Sequence, residues 1–491
     1  MSNARKSYGH FIDGEWVGSA DGRELDLTNP ATGETLAQIA AGGPADAERA
    51  VLSAHAAFEG WSATPARERQ ELLFELGRRL REKTEEFALL ETLNNGKPLA
   101  EAVHFDLPNA IGQFELFAGT PFAIEGTVRD YPDAIGLVHR EPLGVCAQII
   151  PWNVPLVMMA AKLAPALACG NTIVLKPAES VCLSVLAFID EIKDILPKGV
   201  VNVLTGYGAD VGEALVGHPL VRKVAFTGSV ATGRTILQYA SKNIIPQTLE
   251  LGGKSAQIIC PSANLEAAVE GAVMSTVLNK GEICMAGSRI LVHESLLEEF
   301  TARFANALSR VRIGDPTQMS TQLGALASKA QLDRVMRYID IGQSEGARVL
   351  TGGERACGAD LDQGFFVKPT AFVDVRPDMT IAQEEIFGPV TVIMGWRDEA
   401  DAVRIANNTP FGLASGVWTR DLVQAHRVAR SLQAGTVWIN RYFNMKEGMP
   451  IGGYKQSGYG REFAHDSLHA YTQTKSVILS LEDGPLGIFD H

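Results

Sequence analysis

Between residues 144 and 250 short apolar runs alternate with helix-compatible stretches, and each run ends in a turn of proline, asparagine, lysine or glycine. The runs are GVCAQIIPWN, TIVLKP, VVNVLTG and KVAFTGS, and helical patterns cover 155–169, 180–195, 209–217 and 230–242. Strands that are apolar on both faces have to be covered on both faces. Strand, helix, strand at this spacing predicts a parallel sheet with right-handed crossovers. Doubly wound sheets of this kind take ligands beyond the carboxyl ends of their strands. The turns after these strands are therefore where chemistry is to be sought.

A second α/β series begins after LELGGKS. AQIIC, RILVH, RVL and TVIMGW read as strands, with long helical patterns such as 295–312 and 328–345 between them. The stretch GTVRDYPDAIGLVHREP (126–142) alternates polar and apolar residues about a Pro-Asp turn and reads as a protruding hairpin, and the tail TKSVILSLEDGPLGIFDH carries one more strand. Both are bare strand edges that call for cover by another chain. The predicted fold class is α/β: a doubly wound domain (1–122 and 143–252), a second α/β domain (253–456) and a small β element (123–142 and 471–491). The first 100 residues read as largely helical, with Thr64 capping a helix that starts at Pro65 and carries Leu72, Leu73, Leu76 and Leu80 on one face.

Composition narrows the function classes. A chain of 491 residues needs two or three cores. Its net charge of −13 argues against nucleic acid or an anionic membrane as the main partner. No run of about 18 apolar residues occurs, so no membrane span is predicted. The six cysteines are scattered without CxxC or Cys/His spacing. That predicts free thiols in a reducing cytoplasm and no bound metal.

Five places could carry chemistry. Cys284, in NKGEICMAGSRI, stands between Ile283 and Met285 and before a run of small residues. It is either a small buried hydrophobe or a nucleophile. Asn153, in PWNVP, is either a helix cap or an amide donor to a developing oxyanion. Lys176 and Glu179, in LKPAES, are either an exposed ion pair or a clamp on an adenosine ribose, where the carboxylate would disfavour a 2′-phosphate. Phe226, Gly228 and Ser229 open FTGSVATG, a strand-to-helix turn suited to phosphate. Glu250 precedes Gly252-Gly253 and is either a surface residue at a hinge or a mobile general base.

These motifs stand together with EEIFGPV, GTVWIN and GGYKQSGYGRE in one order, from about Phe11 to residue 480. In that order they resemble the NAD(P)-dependent aldehyde dehydrogenase superfamily, and the 34-residue interval from Glu250 to Cys284 fits it too. The resemblance implies a Cys284 nucleophile, Glu250 activating water, and an oxyanion hole of the Asn153 amide and the Cys284 N–H. It implies Lys176 and Glu179 on the adenosine ribose, Ser229 on the pyrophosphate, Trp152 along the cofactor, Glu385 on the nicotinamide ribose and Phe387 near the nicotinamide. Lys162 and Glu462 match positions of a proton relay. The expected cofactor is NAD, with NADP less favoured because of Glu179, and the expected partner is a small-molecule aldehyde.

The resemblance also implies that the hairpin and tail pair across a dimer, with many members forming dimers of dimers. Expected tunnel positions are Val154, Met158, Ala161 and Ile283, together with Met285, Phe443, Met445 and Ile451. All are apolar, which points to an aromatic or medium-to-long aliphatic aldehyde. A semialdehyde or betaine aldehyde is the alternative, although neither a basic anchor nor an aromatic cage is evident. A catalytically silent relative is disfavoured by intact Cys284, Glu250 and Asn153. A coenzyme-A-acylating relative is disfavoured by Glu250.

Overall fold

In a computed structural model the chain is described over residues 6–358, 360–486 and 488. Parts of the expected first domain (1–5), second domain (359) and tail (487 and 489–491) lie outside the described residues.

The predicted wound sheet is present. Five parallel strands stand side by side in the order Gln247–Glu250, Val221–Thr227, Val145–Ile149, Thr172–Lys176 and Val201–Val203. Antiparallel edges are added by Gly458–Tyr459 at one side and by His10–Ile12 with Glu15–Val17 at the other. Successive residues of the central strands face opposite cores. Ile173 and Leu175 join one apolar cluster, and Val174 joins the other. That is why these strands read as continuous apolar runs.

The second sheet runs Arg348–Thr351, Thr370–Val373, Val390–Trp396, Arg289–His293, Ala256–Ile259, Ala414–Trp418 and Thr436–Ile439, and only its first strand is antiparallel to its neighbour. It too divides two cores, with Ile258 and Leu291 on one side and Ile259 and Ile290 on the other.

Two sequence expectations need correction. The N-terminal region is not helical before Pro44. It forms strands at Lys6–Tyr8, His10–Ile12, Glu15–Val17, Glu24–Thr28 and Thr35–Ala40. The segment ELDLT has a period of two, with Leu27 fully buried between polar neighbours, which a helix cannot satisfy. Thr64 also does not cap the next helix. Its hydroxyl donates back to the Gly60 carbonyl at 3.2 Å, and Ala66–Glu82 begins without a side-chain cap.

The hairpin forms from Thr127–Asp130 and Ala134–Pro142, and the tail strand Thr472–Ser480 pairs antiparallel with the second of these within the same chain. The fold thus covers one edge of the tail by itself. Val128 and Ile478 on the outer strands remain exposed. Among the described residues no helix is long and apolar enough to cross a membrane.

Candidate active site

Strand order in the wound sheet reverses between Val145–Ile149, which connects onward to Thr172–Lys176 on one side, and Val221–Thr227 on the other. A crevice opens where crossovers diverge in this way. Here it is a cavity of about 240 Å³. One wall is Trp152, Asn153, Val154 and Met158. Gly228, Ser229, Glu250 and Gly252 come from the two following strand ends. The second α/β unit closes the cavity with Cys284, Gln331, Arg334, Glu385 and Phe387. Residues separated by more than 200 positions thus face one volume.

Each turn has a local reason. The helix Pro155–Ala168 starts with proline, and Asn153 does not cap it. The Asn153 amide donates to the Glu282 carbonyl at 2.9 Å instead. Ser229 does cap the helix Val230–Ala240, with its Oγ accepting from the Thr232 N–H at 3.1 Å. Gly228 is required because a Cβ there would lie 2.6 Å from the Phe226 ring. Phe226 therefore supports the turn from beneath and does not line the cavity. Lys176 is buried at its strand end, 3.6 Å from Glu179, and also donates to the Pro177 carbonyl. Neither residue of this pair lines the cavity.

The double glycine serves protein contacts. A Cβ on Gly252 would fall 2.2 Å from a Glu385 carboxylate oxygen, and one on Gly253 would fall 2.4 Å from the Cys284 carbonyl. The Gly253 N–H donates to Glu385 at 2.8 Å. The Gly-Gly step thus lets strand end, carboxylate and nucleophile loop meet. Trp152 and Phe387 form an edge-to-face pair with centroids 5.3 Å apart.

Burial raises the pKa of both Cys284 and Glu250. Burial pushes the Cys284 thiol up to about 12, the charges of Glu385 and Glu250 add to this, and the N–H groups of Met285 and Cys284 oppose it. The resting sulfur is a neutral thiol that needs a base. Glu250 is held well above the usual carboxylate range, first by burial and then by the charge of Glu462, with Lys162 and Arg461 opposing. A carboxylate raised in this way is a stronger base than an exposed one. Lys162 and Glu462 form a buried ion pair at 2.6 Å. Glu250 Oε1 and Glu462 Oε2 are buried without a hydrogen-bond partner. Burial also raises Glu385 to about 7, against the Gly253 N–H.

Strained backbone gathers here. Asn279, Lys280, Phe387, Phe443 and Phe463 all have positive φ, between 48° and 67°. Non-glycine residues hold that conformation only where their surroundings impose it.

Of the expected tunnel positions, Val154 and Met158 line the cavity. Ile283, Met285 and Phe443 are buried in one apolar cluster against which Cys284, Met445 and Ile451 pack. Ala161 is buried on its helix and does not line the cavity. The cysteines at 146, 169, 182 and 260 are buried, with thiols raised chiefly by burial, and Cys357 is exposed.

Sequence reasoning missed Gln331 and Arg334, on the helix Lys329–Ser344. Gln331 donates to the Phe387 carbonyl, and Arg334 donates to the carbonyls of Glu385 and Ile386. They fix the loop that carries Glu385 and Phe387. Their helix looks like an ordinary amphipathic one, so no local signal marks them.

The sequence matches the profile of the aldehyde dehydrogenase family over residues 16–477. It is 44% identical to acetaldehyde dehydrogenase 2 of Cupriavidus necator, over 99% of this chain and 97% of that protein. A Bacillus cereus aldehyde dehydrogenase solved as its NAD+ complex superposes with a TM-score of 0.95 at 42% identity, covering 97% of each chain. A Staphylococcus aureus betaine aldehyde dehydrogenase, also solved with NAD+, gives 0.97 at 36% identity, over 99% of this chain and 97% of that one.

Proposed function

This chain belongs to the aldehyde dehydrogenase family, oxidoreductases acting on aldehydes, and on that premise we propose that it oxidises an apolar aldehyde to the free acid with NAD, through a thioester on Cys284. The observation that carries this reading is the meeting of Cys284, Asn153 and Glu250 on one cavity at the switch point of the wound sheet.

The residues in the cavity and at the neighbouring strand end suit a dinucleotide. The capped N-terminus of the helix Val230–Ala240, with Gly228 and Ser229 before it, suits a pyrophosphate. Lys176 and Glu179 stand at the neighbouring strand end for the adenosine ribose, and Glu179 favours NAD over NADP. Glu385, Trp152 and Phe387 suit the nicotinamide half. When bound, the dinucleotide supplies the acceptor for the aldehyde's hydride.

The Cys284 sulfur bonds to the aldehyde carbon while its proton passes to Glu250. The Asn153 amide and the Cys284 N–H hold the negative oxygen that results. Loss of hydride from that carbon leaves a thioester. Glu250 then takes a proton from water as the water oxygen adds to the thioester carbon and returns it to the departing Cys284 sulfur, having first released the thiol's own proton toward solvent. The Lys162–Glu462 pair beside Glu250 is suited to passing that proton on. A carboxylate base argues for hydrolysis and against transfer to a thiol such as coenzyme A.

Val154 and Met158, with the cluster of Ile283, Met285 and Phe443, favour an aromatic or medium-to-long aliphatic aldehyde. Free thiols fit a reducing cytoplasm. The exposed outer strands at Thr127–Asp130 and Thr472–Ser480 suit pairing in a homodimer or a dimer of dimers. In the division of labour, 1–122 with 143–252 holds the cofactor, 253–456 carries the nucleophile, and 123–142 with 471–491 makes the oligomer contacts.

The test is NADH formation over benzaldehyde, phenylacetaldehyde, hexanal, octanal, betaine aldehyde and succinic semialdehyde, with intact-mass detection of an adduct. Wild type should turn over the apolar members fastest, and Cys284→Ala should show neither turnover nor adduct. Full turnover by that variant overturns the mechanism. A preference for betaine aldehyde overturns the substrate class.

A further inference from the structure

The nucleophile loop is built on three consecutive left-handed residues, Asn279 (φ 48°), Lys280 (φ 61°) and Gly281 (φ 70°). Only the last is a glycine, and it is needed there because a Cβ would lie 2.1 Å from the Gly388 carbonyl. Something must hold the other two.

What holds them is a buried polar cluster that spans the two α/β units. Lys280 and Glu282 are fully buried, with Nζ and Oε2 2.8 Å apart. The Lys280 amine also donates to the Asn95 carbonyl at 2.8 Å and to Asn95 Oδ1 at 2.5 Å. Because Asn95 Oδ1 is committed to that lysine, its Nδ2 faces the other way and donates to the Trp152 carbonyl at 2.9 Å and, more weakly, to the Asn153 carbonyl at 3.4 Å. Asn279 Nδ2 reaches the Asn153 carbonyl at 2.9 Å and the Glu282 carbonyl at 2.9 Å. The Glu282 carbonyl also accepts the Asn153 side-chain amide at 2.9 Å. Glu282 Oε1 accepts the Ala327 N–H at 3.1 Å.

The side-chain nitrogen and the backbone carbonyl of Asn153 are thus tied, directly or through one residue, to Lys280 or Glu282. A buried lysine with no partner would be expelled or neutralised. The pair must therefore stay together, and while it does, the residues on each side of it cannot turn.

We infer that Lys280 and Glu282 are positioning residues, which lock the Asn153 amide against the loop of Cys284 so that oxyanion donor and sulfur meet the same carbonyl group. The inference rests on the proposed role of Asn153. Neither residue touches substrate. Both act through Asn95, Asn279 and the Glu282 carbonyl. An amide free to swing would lose the preorganisation that makes such a donor effective.

The experiment is a double-mutant cycle on the full-length enzyme, with kcat per folded active site and NAD affinity by fluorescence. Lys280→Met should lower kcat by roughly 10–100-fold, less than the roughly 10²–10³ seen for outright loss of an oxyanion donor, with NAD affinity within about twofold of wild type. In an Asn153→Ala background the same change should cost almost nothing more, because the group it positions is gone. Glu282→Gln, which keeps the shape and the acceptor for Ala327, serves as the second arm if Lys280→Met does not fold, and it should show the same loss of coupling. An equal penalty in both backgrounds means that the pair is only structural, and it overturns the inference while leaving the role of Asn153 intact. If Asn153→Ala itself leaves kcat unchanged, the oxyanion reading and this inference fall together.

Discussion

Two buried lysine–glutamate pairs flank the cavity, and they differ in what surrounds them. Lys162 and Glu462 meet at 2.6 Å, and Lys280 and Glu282 at 2.8 Å, with every side chain at most 3% exposed. Around Lys280–Glu282 the hydrogen bonds run to backbone carbonyls and N–H groups of distant elements. Among the described residues Glu282 Oε2 and Glu462 Oε2 both lack a hydrogen bond, and each pair has a third buried carboxylate near it: Glu101, which accepts the Asn279 N–H at 2.7 Å, and Glu250, which lines the cavity and whose Oε1 has no hydrogen-bond partner. A pair knit into the backbone holds geometry. A pair next to an unpaired carboxylate holds a proton balance instead, because a charge change on either partner moves its neighbour. On the proposed mechanism, one motif of two residue types would do two different jobs in one site.

The largest effect should come from the carboxylate that distinguishes the two. Glu250→Gln keeps the shape but removes the proton acceptor. Steady-state turnover should fall by roughly 10²–10⁴. A single-turnover burst of NADH and an acyl adduct on Cys284 should survive if solvent can deprotonate the thiol. Unchanged turnover would remove Glu250 from the mechanism, and loss of the burst would show that Glu250 is the thiol's obligatory base as well as the water's.

Next in size is the contrast between the pairs themselves. Lys280→Met should depress kcat by roughly 10–100-fold at every pH, since it disturbs position. Substitutions in the other pair should move the pH profile instead. On the proposed mechanism Glu250 works deprotonated, so activity should rise as pH climbs through its raised pKa. Glu462→Gln removes a negative neighbour that raises that pKa, and the acid limb of kcat should move to lower pH. Lys162→Met removes a positive neighbour that lowers it, and the limb should move to higher pH. Shifts of the same sign, or a shift with Lys280→Met, would erase the distinction.

The smallest effect is expected at a third pair, Lys176–Glu179, which is looser at 3.6 Å and leaves Glu179 35% exposed. There Glu179→Gln should leave NAD turnover nearly unchanged and raise efficiency with NADP by roughly tenfold, through relief of like-charge contact. Equal use of both cofactors by the wild type would show that the carboxylate does not face the 2′ position.

How much of this was legible depended on range along the chain. The wound sheet, the turns at Asn153, Gly228 and Glu250, and the Cys284 bend are each written in fewer than a dozen contiguous residues, where strand period and turn chemistry leave a local signature. The N-terminal strands were misread because the five-residue run ELDLT is too short for its alternation to outweigh the long helical patterns that follow.

The sequence by itself determined the α/β class and the family and singled out the candidate reacting side chains, because those rest on local periodicity and on residue types in a fixed order. Tertiary structure alone decided what each of them faces. It set Gly253 against Glu385, 132 residues on, and Lys280 against Asn95, 185 residues back. It tied the Asn153 amide to Glu282 and left Glu250 beside Glu462. Such pairings follow from which buried donors and acceptors packing brings within reach, and a buried polar group must find its partner in space whatever its distance along the chain.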